Sequence, residues 1–145
     1  MDVDVKMKML SFMSLVFFSA WLQAEPLVVS NTKLEIDNQC RLKVINKESE
    51  LKLIKLNLPE SPDCKFVRYD ETNVIHLQRI GNSYMFFVEL PTGDRDECTT
   101  KYVAVAAKND GTIVTSAAYG RSGTCPPNVE IKEFLYFARK MKILN

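Results

Sequence analysis

Residues 73–90 read NVIHLQRIGNSYMFFVEL, and the middle of this stretch decides the fold. Gly81 and Asn82 separate two apolar runs there, and both of these residue types tolerate a positive φ angle. A two-residue connection of this kind predicts a tight β-hairpin. The second arm is apolar at every position from 84 to 88, so both of its faces are apolar. We expect it to form a central strand that is covered on each side.

A second hairpin is predicted downstream. Residues 101–119 contain two strand-like arms around Asp110 and Gly111, which favour a tight turn. One face of the first arm carries Ala104 and Ala106, whose small side chains allow a helix to approach closely. This face is therefore the expected docking surface for a helix.

The helix pattern spans residues 129–141. Asn128 can cap its first turn, and Glu130 lies where the helix dipole favours negative charge. Apolar residues with helical spacing predict one buried stripe: Ile131, Phe134, Leu135, Ala138 and Met141. We expect this stripe to dock across the sheet.

Alternating apolar segments predict further strands at residues 32–36, 40–45, 51–58, 64–69 and 73–80. The alternation changes phase near Leu53 and Ile54, which suggests a β-bulge or a change of face. Residues 91–99 are expected to form a loop. Since strands follow strands without intervening helices, the expected fold is α+β: mostly antiparallel sheet, with about six to eight short strands and one C-terminal α-helix packed on it.

The first 24 residues have the three-part layout of a secretory signal peptide. Lys8 gives a short basic start, residues 9–21 are almost entirely apolar, and Ala24 is a small residue at the expected cleavage point. The apolar run would cover about 20 Å as a helix, less than the roughly 30 Å hydrocarbon core of a bilayer. We therefore expect cleavage of residues 1–24, which leaves residues 25–145 as one exported domain, periplasmic or secreted, with no stable membrane anchor.

Four cysteines lie in the expected mature domain: Cys40, Cys64, Cys98 and Cys125. An even number in an exported chain predicts disulfides. A hairpin centred on Asp110 places Cys98 opposite about position 122, which predicts a Cys98–Cys125 disulfide. A Cys40–Cys64 disulfide follows by elimination. The chain has no Cys-x-x-Cys pair and a single histidine, so we expect no metal site and no other cofactor.

The charge is nearly balanced, with 19 basic and 18 acidic residues. A balanced charge gives no general attraction to nucleic acid or to anionic lipid. Another protein is therefore the expected partner, and the oligomeric state stays open.

Five residues in two expected loops are the candidate binding residues: Asp94, Asp96, Glu97, Tyr119 and Arg121. The first three belong to an acidic loop at residues 93–97, and the other two to a glycine-rich segment at residues 119–124. No nucleophile motif accompanies His76, which is expected to face solvent on a strand, opposite the core. With no catalytic set, we expect a small exported binding protein without enzymatic activity, such as a periplasmic inhibitor or immunity protein that acts by surface contact.

Two alternatives remain open. One is a cell-envelope hydrolase that acts on sugar or peptide through Asp94, Asp96 or His76. The other is an envelope module that binds a ligand through exposed tyrosines.

Overall fold

The computed structural model describes residues 26–69, 72–94 and 96–144, so the expected signal peptide at residues 1–24 lies outside the described part of the chain. The elements are β1 (Leu27–Val29), β2 (Thr32–Ile36), β3 (Arg41–Ile45), β4 (Leu51–Lys55), β5 (Lys65–Phe66), β6 (Gln78–Ile80), β7 (Ser83–Thr92), β8 (Thr99–Lys108), β9 (Ile113–Thr115), β10 (Gly120–Ser122) and α1 (Ile131–Lys140). The described part of the chain thus has ten strands rather than about six to eight, since neither β1 nor β10 was expected.

The strands form two antiparallel sheets, which confirms the expected α+β class. The first sheet has the strand order β1-β2-β3-β4. The second follows β10-β8-β7-β5, with β6 also pairing with β7 and β9 with β8. The first sheet packs on one face of the second, and α1 packs on its other face. The resulting layers are sheet, sheet and helix.

β7 and β8 form the centre of the molecule because they pair along their whole length, from Ser83 opposite Lys108 to Thr92 opposite Thr99. Successive side chains of a strand point to opposite faces, so both strands contribute to two cores. The core between the sheets contains, among others, Leu34, Leu42, Val44, Phe86, Val88, Val103 and Val105. The core under the helix contains, among others, Met85, Phe87, Ala104, Ala106, Phe134, Phe137 and Ala138. The expected central strand is confirmed, and the two alanines face the helix as expected.

Both predicted hairpins are present. Ile80 lies opposite Ser83 across the first turn, and Ala107 lies opposite Ile113 across the second. Beyond the second turn, β10 is offset by two residues from the register that β9 sets on β8.

Ser116 stabilises this offset. Its hydroxyl accepts a hydrogen bond from the backbone N–H of Ala104 at 2.9 Å and donates one to the carbonyl of Ala118 at 2.7 Å. The chain then rejoins β8 as Gly120–Ser122. The expectation that residues 119–124 form a loop is therefore wrong for this strand.

Glu130, rather than Asn128, is the N-cap residue of α1. The carboxylate of Glu133 accepts a hydrogen bond from the backbone N–H of Glu130 at 2.9 Å, as in a capping box. The helix therefore begins at Ile131, two residues later than expected.

The buried face of α1 consists of Phe134, Phe137 and Ala138. The expected stripe is wrong at Ile131, which is 54% exposed, and it omitted Phe137, which is 2% exposed. Phe137 is buried because its ring packs against Phe87, with the ring centroids 5.4 Å apart.

β4 pairs with β3 in a regular register over all five of its residues, so the expected bulge is absent. Leu51 and Leu53 lie on the outer face of the first sheet and are exposed, whereas Ile54 is half-buried and Leu56 is buried. The change of phase in the sequence therefore comes from two outward-facing leucines.

The strands expected at residues 64–69 and 73–80 are shorter in the structure. Only β5 and β6 remain of them, with one isolated bridge between Arg68 and Ile75. The connecting segment is thus mostly irregular, and this irregularity determines where its side chains point.

β7 extends into the loop expected at residues 91–99 and includes Pro91. A proline has no N–H to donate to a neighbouring strand. β5 pairs only with Val88 and Glu89. Pro91 therefore pairs with β8 on one side, and β5 does not reach it on the other.

Two disulfides join Cys40 to Cys64 and Cys98 to Cys125, with Cα atoms 5.4 and 5.9 Å apart. These are the pairs derived from the sequence, and no cysteine is free. The first links the residue before β3 to the residue before β5, and therefore ties the two sheets together. Paired cysteines indicate an oxidising compartment. No helix in the described ranges is long and apolar enough to cross a bilayer.

Candidate functional site

The acidic loop connects β7 to β8 and is exposed at Asp94, Asp96 and Glu97. The backbone N–H of Glu97 donates to the carbonyl of Asp94 at 3.2 Å, which closes a turn. The Cys98–Cys125 disulfide anchors the end of the loop. Three carboxylates are thus presented at one end of the second sheet. Among residues 26–69, 72–94 and 96–144, no cluster of His, Cys, Asp and Glu has the size and arrangement to hold a metal ion.

Tyr119 precedes β10, and two basic side chains lie close to its ring. The ammonium of Lys101 lies 3.7 Å from the centroid of the Tyr119 ring, and the guanidinium carbon of Arg121 lies 5.3 Å from it. Arg121 also donates a hydrogen bond to the Tyr119 hydroxyl at 3.2 Å. The ring is nevertheless 41% exposed. We call Lys101, Tyr119 and Arg121 the Tyr119 clamp.

The Tyr119 clamp and the acidic loop lie at the same end of the second sheet. Arg121 is directly opposite Lys101 in the pairing of β10 with β8. Lys101 follows Cys98 by three residues, about 10 Å along an extended strand. The structure therefore brings all five candidate binding residues within the dimensions of one protein interface.

His76 is half-buried and packs toward the helix, which corrects the expectation that it faces solvent opposite the core. Its ring stacks on Tyr69, with centroids 4.1 Å apart, and lies 4.9 Å from the ring of Phe134 in α1. Its backbone N–H donates to the carbonyl of Val67 at 2.9 Å. The irregular segment before β6 turns the side chain toward the helix instead of away from the core.

Burial lowers the pKa of His76 below its usual value of 6.5, so the imidazole is neutral at pH 7. Its side-chain neighbour is the amide of Gln78, at 3.3 Å. In the described part of the chain, His76 forms no ion pair with a carboxylate. The pairing of histidine and acid that a hydrolase would use is therefore not seen among these residues.

Glu89 is a site residue that the sequence analysis missed. It lies in β7 on the helix side of the sheet and is 1% exposed. One carboxylate oxygen, Oε1, is 3.7 Å from the ammonium of Lys65, and the other, Oε2, has no hydrogen-bond partner among the described residues. The available signal was that Glu89 is the only charged residue in the apolar arm at residues 84–90.

Burial raises the pKa of Glu89 above its ordinary value of 4.5, and the positive charge of Lys65 opposes part of this rise. A buried carboxylate oxygen without a donor is costly, since its lost hydration is not replaced. Such a group is a common feature of binding and catalytic sites.

Glu89 lines a cavity of about 220 Å³, which we call the Glu89 recess. Its wall includes Lys65, Arg68, Tyr69 and Pro126. A second cavity of about 490 Å³ shares the last three of these residues and also contains His76. The two cavities therefore adjoin, and together they join His76, a partly exposed tyrosine and a buried carboxyl group.

No protein-family model, no curated protein and no solved structure matches this chain.

Proposed function

We propose that this protein is an exported binding domain without enzymatic activity that contacts another protein through the Tyr119 clamp and the acidic loop, as an inhibitor or immunity protein does. The observation that carries the proposal is the state of Tyr119. Its ring is 41% exposed, yet two cations lie against it and its hydroxyl accepts a hydrogen bond from Arg121.

A fixed, exposed tyrosine favours protein binding for two reasons. Tyrosine and arginine are among the residues that contribute most to binding energy in protein interfaces. Ordering a flexible side chain on association costs about 0.5 to 1.5 kcal/mol, and a side chain that is already ordered avoids most of this cost. Tyr119 and Arg121 are of these residue types, and the contacts between them order their side chains before a partner binds.

The charged residues around Tyr119 would orient the binding partner on the proposed surface. The proposed surface carries two basic residues, Lys101 and Arg121, which are paired across β8 and β10, and the exposed carboxylates of the acidic loop. Opposite charges on one surface select a partner with the complementary pattern and speed its association. Changing Asp94 and Asp96 to lysine is therefore expected to slow binding, with the largest effect at low salt.

The disulfides and the leader-like start of the chain support the same proposal. The two disulfides indicate an oxidising compartment, and residues 1–24 have the layout of a signal peptide. We propose that the domain acts in the periplasm or outside the cell, where a stapled fold resists unfolding during contact with its partner.

The test is affinity capture from cell-envelope and culture extracts, followed by measurement of the affinity for the captured protein. Tyr119→Ala and Arg121→Ala are each expected to weaken binding by about thirtyfold, corresponding to about 2 kcal/mol for a central interface residue.

Tyr136→Ala is the matched control. Tyr136 is 51% exposed on α1 and also has a lysine nearby, Lys140, 5.7 Å from its ring centroid. It lies outside the proposed surface, so its removal is expected to leave the affinity unchanged. Equal binding by the Tyr119→Ala and Tyr136→Ala variants would show that the assigned surface is wrong, and failure to recover any specific partner would overturn the function.

A further inference from the structure

We propose that the Glu89 recess is a binding site for a free α-amino acid, whose ammonium group pairs with Glu89 and whose carboxylate pairs with Lys65 and Arg68. This site is separate from the protein-binding surface described above. The proposal starts from Glu89, which is 1% exposed and lines the recess while its Oε2 atom has no partner in the described part of the chain.

The unpartnered oxygen requires a hydrogen-bond donor. Lys65 does not provide this donor, because its ammonium is 3.7 Å from the other oxygen of Glu89 and its side chain is 56% exposed. A charged N–H donor brought by a ligand would replace the hydration that Glu89 has lost. Such charge-assisted hydrogen bonds are the strong ones in proteins.

The basic side chains exclude a simple cation as the ligand. Lys65 and Arg68 are the basic residues among the described residues that line the recess, and Glu89 is the acidic one. An amine without a negative group would be repelled by both cations, and an acid without a positive group would be repelled by Glu89. A molecule with both charges matches the pattern.

The spacing of the charges suits an α-amino acid. Lys65 and Glu89 place opposite charges 3.7 Å apart. The ammonium nitrogen and the carboxylate oxygens of an α-amino acid are separated by about 3 Å, because a single carbon atom joins the two groups. One molecule can therefore contact Oε2 of Glu89 and the ammonium of Lys65 together.

Arg68 has donors available for the ligand carboxylate. One of its terminal nitrogens, Nη1, donates to the carbonyl of Asn73, which fixes the guanidinium at the edge of the recess. A guanidinium carries five N–H donors, so this bond leaves others for a carboxylate.

The remaining wall and the volume fit a small side chain. Phe66, Tyr69 and Pro126 provide apolar surface. A cavity of about 220 Å³ is smaller than the roughly 300 to 1,000 Å³ typical of sites for drug-sized ligands. The adjoining cavity of about 490 Å³ gives space for a longer ligand side chain beside His76.

The experiment uses the full chain, exported and purified with both disulfides formed. The twenty L-amino acids are added one at a time at millimolar concentration while backbone amide resonances are recorded. At least one amino acid is expected to shift resonances of β5 and of Glu89. For the best of them, the amine lacking the carboxylate and the acid lacking the amino group are each expected to bind about tenfold or more weakly, since each loses one charge-assisted contact.

Variants test the assigned residues. Glu89→Gln and Arg68→Met are each expected to weaken binding of the best amino acid about tenfold or more. Glu60→Gln is the matched control for the change of charge, because Glu60 is exposed in the loop before Cys64, and it is expected to bind as the wild type does. Tyr119→Ala is also expected to bind normally, which separates this site from the protein-binding surface.

Three results would overturn the proposal: no shift with any amino acid, equal binding of the amine and the amino acid, or undiminished binding by Glu89→Gln. The ligand comparison uses the wild-type protein, so it decides the question even if a variant fails to fold.

Discussion

Gly120 and Tyr102 lie directly opposite each other in β10 and β8, and the Tyr102 ring occupies the space in which a side chain at position 120 would lie. The ring has little freedom to move. It packs edge-on against Phe87, with centroids 5.4 Å apart, and lies 6.2 Å from the ring of Phe137. The absence of a Cβ at position 120 is therefore a condition for closing β10 onto the sheet.

Gly120→Ala is expected to lower the free energy of unfolding by about 1 to 3 kcal/mol, because the new methyl group would displace a packed ring. Denaturant unfolding measures this change. Gly123→Ala is the control, since nothing lies within 4 Å of a Cβ built there, and its effect is expected to stay within about 0.5 kcal/mol. Equal effects of the two substitutions would contradict the packing of Tyr102 on Gly120.

Phe137→Ala is expected to cost about 3 to 5 kcal/mol of stability, since Phe137 is 2% exposed and its removal leaves a cavity under the helix. Tyr136→Ala, at the adjacent and 51% exposed position, is expected to cost less than about 1 kcal/mol. Thermal unfolding of the two variants compares them directly. A larger loss for Tyr136→Ala would mean that the helix packs in a different rotation.

Glu89→Gln is expected to stabilise the free protein by about 1 kcal/mol at pH 7, because it removes a buried charge whose single ion-pair partner among the described residues, Lys65, is 3.7 Å away. The direction of this change in stability follows from the raised pKa of Glu89. The folded state holds the proton more tightly than the unfolded state does, so the wild type loses stability as the pH rises above about 4.5.

Below about pH 4.5 the wild-type carboxyl is protonated in both states, and the advantage of Glu89→Gln is expected to disappear. Unfolding free energies at several pH values test this. A variant that is less stable than the wild type at pH 7 would show that the Lys65–Glu89 pair is net favourable. The same substitution is expected to weaken amino-acid binding, so stability and binding would change in opposite directions.

His76→Phe is expected to remove a loss of stability that the wild type shows in mild acid. Burial lowers the pKa of His76 in the folded state, so the unfolded state takes up a proton first as the pH falls below about 6.5. Stability therefore falls through that range and levels off once the folded state is protonated too. Phenylalanine keeps the contacts with Tyr69 and Phe134 but does not titrate.

The measurement is the difference in unfolding free energy between wild type and His76→Phe at about pH 7.5 and about pH 5.5. On going from the higher to the lower pH, the stability of His76→Phe is expected to increase relative to that of the wild type. His76→Gln, which also does not titrate, is expected to show the same trend with a lower overall stability because it loses the ring. A difference that does not change with pH would contradict the burial of His76.

Turn chemistry made the hairpins predictable. Gly81 and Asn82 favour a tight turn through their own backbone preferences, and the same holds for Asp110 and Gly111, so no distant contact is needed to place them. The strand face that carries Ala104 could also be predicted as the helix-docking face, because the alternation of side chains along a strand is a local property.

Features set by distant contacts were not predictable in the same way. The burial of Phe137 depends on Phe87, and the offset of β10 depends on the Ser116 hydroxyl, which bonds to Ala104. The recess is a further case. Glu89 stood out as a charge in an apolar arm, but its relation to Lys65 and Pro126 arises only when three separate segments meet.

β7 and β8 contribute side chains to both cores, so unfolding of either core affects these two strands. Detachment of α1 uncovers one face of the pair, and separation of the first sheet uncovers the other, so each event weakens the support of the same two strands. We therefore expect the two cores not to unfold independently, and the β7–β8 pair to be the last part of the fold to open. We also expect the backbone amides of β7 and β8 to exchange hydrogen with the solvent only through opening of the whole fold, and to be the slowest-exchanging amides in the described part of the chain.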